Sequence, residues 1–81
     1  MENNQTLAER VAAELRAEMA WQGKSVSELS ETLGVSVKTA RARYAGIAEL
    51  ALDEIDSVSA WLQVDRKQLL TGIHGRERLA S

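Results

Sequence analysis

The chain has no cysteine, no proline, no phenylalanine and a single histidine in 81 residues. Without cysteine there is no disulfide, no thiolate nucleophile and no cysteine-based zinc site. With no proline and only three aromatic residues (Trp21, Tyr44 and Trp61), the composition favours helix over sheet. No apolar run approaches the roughly 20 residues needed to span a bilayer. The opening MENNQTLAER has neither the basic nor the apolar segment of a secretory leader. A cytoplasmic location is therefore expected. No Ser–His–Asp or Cys–His constellation can be drawn on a stable framework, and no phosphate-cradling glycine loop occurs. The reading is a non-enzyme, with no cofactor and no small-molecule ligand.

A chain of this length makes one small domain, which buries only about 60% of its unfolded surface. So thin a core makes support from a second subunit plausible. The net charge of −2 argues mildly against a nucleic-acid binder, but the charge is unevenly placed. Residues 1–35 sum to −3, 36–46 to +3, 47–56 to −4 and 57–81 to +2. From Thr32 to Ala48 there is no Asp or Glu, while Lys38, Arg41 and Arg43 lie close together.

Five helices are predicted. Thr6-x-x-Glu9 has the form of a capping box, with Leu7, Val11, Leu15 and Met19 at four-residue spacing behind it and Gly23 as the stop. Ser25-x-x-Glu28 opens a second helix with Leu29 and Leu33 inward, ended by Gly34. Ser36 caps a third, from Val37 to Ala45, and Gly46 ends it. Residues 47–51 read as a linker that drops Ile47 and Leu50 onto the core. A fourth helix is expected from about Leu52 to Gln63, with Leu52, Ile55, Val58 and Leu62 on one face and Asp53, Glu54 and Asp56 in its first turns. Asp65-x-x-Gln68 caps a short fifth helix holding Leu69 and Leu70, stopped by Gly72, and IHGRERLAS is a polar tail.

At about 100° per residue, Ala40 and Tyr44 share the inner face of the third helix, with Val37 at its edge. Lys38, Ala42 and Ala45 point the other way, flanked by Thr39 and Arg41. Such a face suits a DNA major groove. Arg and Lys donate to guanine O6 and N7, Thr bonds a base or phosphate, and Ala touches a thymine methyl. A carboxylate there would repel phosphate, which explains the gap. The helix starts at Ser25 and Ser36 offer backbone N–H groups to phosphate.

Helix, glycine turn and helix at this spacing form a helix-turn-helix pattern. Residues 25–46, SVSELSETLGVSVKTARARYAG, and 58–70, VSAWLQVDRKQLL, resemble the phage-repressor/Cro-type (lambda-repressor-like, XRE) DNA-binding family. With the first helix the resemblance covers roughly residues 7–70. It implies an all-α, compact five-helix domain over residues 1–72, its helix-turn-helix at about 25–46, followed by the short tail 73–81. It also implies a regulator of transcription that binds double-stranded operator DNA, as a phage Cro or repressor does. Carried over position by position, Val37, Lys38, Thr39, Arg41 and Ala42 face base edges. Lys24, Ser25, Ser36 and Arg43 meet phosphate, and Tyr44 mainly packs.

The chain departs from the family's pattern at several places. Ser30 and Ser59 replace alanine, each hydroxyl being free to bond back to its own helix. Lys24 replaces an apolar residue, Gln63 replaces a helix-ending glycine, and Val26 stands where a glutamine often grips phosphate. Trp61, Leu70 and Ile73 form a candidate apolar patch for a homodimer, and Trp21 is read as core or partner-facing.

Blander readings apply elsewhere. The run Asp53–Asp56 lacks further ligands for a metal and reads as solvated helix-start carboxylates. His74 reads as a surface residue, and Gly72-x-x-Gly75 lacks the strands of an RNA-binding KH fold. Two rival functions remain: an antitoxin binding both DNA and a toxin protein, and a protein-interaction module that has lost DNA binding.

Overall fold

The computed structural model describes residues 6–71, the last of these by its backbone alone. It is all-helical: α1 spans Leu7–Gln22, α2 Val26–Leu33, α3 Val37–Ala45, α4 Leu52–Leu62 and α5 Arg66–Thr71. No strand occurs among the described residues. The predicted stop at Gly72, the tail, Ile73 and His74 lie outside them. No described helix is long and apolar enough to cross a membrane.

The helix starts follow the capping pattern. Thr6 and Ser25 each form a complete capping box, with Glu9 and Glu28 respectively, and the Ser36 hydroxyl accepts from the Thr39 N–H. The start of α4 differs, because Ala51 has no side-chain acceptor to offer. Glu54 supplies half a box, accepting from the Ala51 N–H at 2.9 Å. At α5, Asp65 accepts from the Lys67 N–H at 3.2 Å. Gln68 does not reach back to complete that cap. It turns inward, and its amide donates to the buried Glu18 carboxylate at 2.7 Å.

Leu15, Met19, Leu29, Val58, Leu62 and Leu69 are fully buried at the centre, drawn from every helix except α3. That helix contributes Ala40, also fully buried, and a half-buried Tyr44. Three apolar residues expected on the core are instead exposed, Leu7 (57%), Ile47 (83%) and Leu52 (82%), and Trp21, read as core or partner-facing, is 65% exposed and so lies off the core. The reason is positional. The inward stripe of α4 runs Ile55, Val58, Ser59 and Leu62, so Leu52 lies one turn beyond the last neighbour that covers it. Trp21 falls off the α1 stripe that ends at Glu18 and Met19. Ile47 and Ala48 both donate their N–H to the Ala42 carbonyl, which wraps this segment around the end of α3 and leaves Ile47 outside. Leu50 does pack against the core. Ser30 bonds back to the Ser27 carbonyl at 2.8 Å, whereas the buried Ser59 hydroxyl has no partner.

Gly46 is where α3 meets α1. Its φ is +82°, and a Cβ there would lie 3.2 Å from the Ala12 Cβ and 3.3 Å from the Glu9 Cα. Glycine is required twice over, for the left-handed turn and for the close approach. Gln63 ends α4 in the same left-handed region, at φ +60°. A left-handed non-glycine residue costs about 1–2 kcal/mol. Gly46→Ala is therefore expected to lower stability by about 2 kcal/mol or more, and Gln63→Gly to raise it by about 0.5–1 kcal/mol. Urea melts of both variants check the opposite signs.

Candidate nucleic-acid interface

α2 and α3 are joined by Gly34-Val35-Ser36, the three-residue turn expected from the sequence, and they pack on each other as a helix-turn-helix. Ala40 anchors α3 inward. Outward, Lys38, Arg41 and Ala45 are exposed and Val37 is 40% exposed, while Thr39 and Ala42 are half-buried. The five residues assigned to base edges thus lie along the rim and crest of one helix. Among the described residues no hydrogen bond or ion pair ties down Lys38 or Arg41, and both cations project from a helix that carries no carboxylate.

The residues assigned to phosphate are placed differently, because each is engaged within the fold. The Lys24 ammonium lies 5.1 Å from the centroid of the Trp61 ring, a cation–π contact that folds it back onto α4. Ser25 gives its N–H to Glu28 Oε1 at 2.7 Å and its Oγ accepts from the Glu28 N–H, so a carboxylate sits at the start of α2. The Ser36 hydroxyl donates to Thr39 Oγ1 at 3.1 Å while capping α3. Arg43 pairs with Glu54 on α4, Nε to Oε1 at 2.8 Å, with both side chains about one-fifth exposed. Burial works against ionisation of Glu54. The hydrogen bonds from Arg43 and the Ala51 N–H, together with the Arg43 charge, outweigh it and hold the carboxyl below its ordinary value of 4.5.

Two carboxylates of the acidic run of α4 are occupied in the same way. Asp56 takes Arg66 at 2.9 Å, and Glu54 takes Arg43. Trp61 is half-buried beneath Lys24. Leu70 lies towards the other end of α4, lining a groove with Leu52 and Ile55.

Arg16 is a residue that sequence reasoning missed. From α1 its Nη1 donates to the Tyr44 carbonyl at 2.8 Å, and its guanidinium carbon lies 5.9 Å from the Tyr44 ring centroid. Its position on α1, one turn after Ala12, was the only available signal, and it points nowhere without the location of Gly46.

The Arg43–Glu54 pair predicts a pH dependence. Because folding lowers the Glu54 value, the stabilisation is complete above the ordinary value and fades as pH falls through the folded one. Glu54→Gln is expected to be about 1 kcal/mol less stable than wild type at neutral pH. Urea melts taken from neutral pH into acid should show that gap closing. A gap independent of pH would mean that the charge of Glu54 contributes nothing.

No protein-family model matches the chain, and no curated protein does. Among solved structures, it is similar to the crystal structure of hypothetical transcription factor NHTF from Neisseria, with 28% identity over 99% of this chain and 90% of that one, and a TM-score of 0.74. The likeness is one of overall fold as well as of sequence.

Proposed function

We propose that this chain is a sequence-specific regulator of transcription that binds double-stranded operator DNA by laying α3 in the major groove. The observation that carries the reading is the pair Lys38 and Arg41, without a partner among the described residues, on the outward face of a carboxylate-free second helix of a helix-turn-helix. The likeness to a hypothetical transcription factor supports it. The finer reading follows from the sequence resemblance: a Cro- or repressor-like protein of the bacterial or phage-infected cytoplasm that blocks transcription by occupying its operator. Its role is binding, not catalysis, and it uses no cofactor.

Within this reading, base contacts fall to Val37, Lys38, Thr39, Arg41 and Ala42. Phosphate contacts fall to backbone N–H groups at the start of α3 and to whatever Lys24, Ser25, Ser36 and Arg43 release from their internal partners. The internal use of that second set favours one rival, a protein-interaction module, and DNA selection separates the two.

Selection from a random duplex pool is expected to enrich a defined site. Lys38→Ala and Arg41→Ala should each weaken it by about 1–3 kcal/mol and relax preference at one position. With few cations free among the described residues, log K should fall against log salt with a slope of only about −2 to −4 per protomer. Absence of enrichment at low salt would overturn the reading and leave the interaction module.

A homodimer would place two α3 helices about 34–36 Å apart, one DNA turn. Leu70, with the exposed Leu52 beside it, offers the apolar face. Leu52→Glu is expected to leave thermal stability unchanged, shift sedimentation to monomer and weaken operator binding at low concentration. A wild-type chain that sediments as a monomer at high concentration removes the dimer and keeps the DNA-binding role.

A further inference from the structure

We propose that Arg16 is a positioning residue for DNA recognition, fixing the tilt of α3 from its C-terminal end; the functional part of this rests on the proposed DNA-binding role. The carbonyls in the last turn of a helix lack intrahelical partners. In α3, the Ala42 carbonyl is satisfied by the N–H groups of Gly46, Ile47 and Ala48, and that of Arg43 by Gly46. The Tyr44 carbonyl has Arg16, at 2.8 Å, and the same guanidinium lies 5.9 Å from the centroid of the Tyr44 ring. A cation there also opposes the negative end of the helix dipole.

The contact sits on a junction that leaves little slack. Gly46, two residues beyond Tyr44, already meets Ala12 and Glu9 of α1 at the limit of approach. Arg16 is one turn further along α1 and closes the junction from the other side. The residue before Tyr44, Arg43, ties α3 to α4 through Glu54. Both ties grip the C-terminal half, whereas Lys38 and Arg41 project from the N-terminal half and the middle.

The geometry makes α3 a lever. Lys38 and Tyr44 are six residues apart, or about 9 Å along the axis. A tilt of about 5° at the pivot would shift Lys38 by about 0.8 Å, more than the ~0.5 Å within which a recognition group must be held. Arg16 touches no base in this scheme. Losing it should blur the reading of bases while leaving general attraction to phosphate almost unchanged.

Arg16→Met keeps the length and removes the donor, and Arg16→Lys restores a donor and the charge. Two readouts apply to the full chain. The first is amide exchange of Arg43 to Gly46, referenced to α4 so that global loss of folding is recognised. Exchange there is expected to speed up tenfold or more in Arg16→Met and by much less in Arg16→Lys, with α4 unchanged. The second is the ratio of affinities for the selected duplex and a scrambled one. That ratio should fall about tenfold in Arg16→Met, with scrambled-duplex affinity changing less than twofold. Unchanged exchange in α3 overturns the proposal whether or not the chain binds DNA. Equal losses on both duplexes also overturn it, because Arg16 would then act as a plain phosphate contact. A wild type that selects no duplex sinks the DNA-binding role, and the hold on α3 is then decided by exchange alone.

Discussion

The arrangement depends on α1 serving as a hydrogen-bond donor to the ends of its neighbours. Arg10 reaches the Leu70 carbonyl of α5, Arg16 the Tyr44 carbonyl of α3 and Gln22 the Leu62 carbonyl of α4. Each acceptor lies in the final turn of its helix, where carbonyls are otherwise orphaned. The donors are six residues apart, and six residues turn a helix by about 240°. The three side chains therefore leave α1 in three directions, one towards each neighbour. A small core benefits disproportionately, since hydrophobic burial fixes how close helices lie but sets their angles only loosely. These polar contacts fix where each helix ends.

Buried polar groups continue the same scheme on the inside. Glu18 is 4% exposed and accepts from Gln68 on α5 at 2.7 Å and from Gln22 at 3.3 Å. An unpaired buried carboxylate would be costly, so these contacts specify the seat of α5 against α1. Gln22 serves both the Glu18 carboxylate and the end of α4, linking two of the clamps. The satisfaction is incomplete: Gln68 Oε1 and the Ser59 hydroxyl are buried without partners. Ser59 stands where the resembled family has alanine, and nothing in the structure explains the hydroxyl.

How much of this was legible in the sequence divides along physical lines. Local signals were: the capping boxes at Thr6 and Ser25, the cap at Ser36 and the stops at Gly23, Gly34 and Gly46 are written in adjacent residues, and the helices start and end there. Periodicity found the centre of each stripe but not its ends, because exposure at Leu7 and Leu52 depends on where a neighbouring helix stops. The outward face of α3 was readable for the same local reason as its caps. Side-chain partners across long sequence separations were not. Arg16 with Tyr44, Lys24 with Trp61 and Arg43 with Glu54 are pairings made by the fold, and the last two took both cations expected on phosphate into internal contacts.

That removal changes what kind of DNA binder the chain would be under the proposed function. A domain with net charge −2, whose cations among the described residues are mostly engaged internally, draws little on the sequence-independent attraction that dominates most protein–DNA affinity. Its discrimination must then come from a few base contacts made by a helix held in a fixed pose. Weak general attraction and a rigid reading helix complement each other, since wrong sites retain little phosphate binding to compensate for a misplaced Lys38 or Arg41. The internal pairs also impose a choice on binding. Arg43 can reach a phosphate only by leaving Glu54, and Lys24 only by leaving Trp61, so each such contact replaces an existing one instead of adding to it. Net affinity then depends on the difference between two charge-assisted contacts, which is smaller than either. For a protein of this size, the ties that keep α3 in place and those that would hold DNA meet at one side chain, Arg43, which the fold has committed to Glu54.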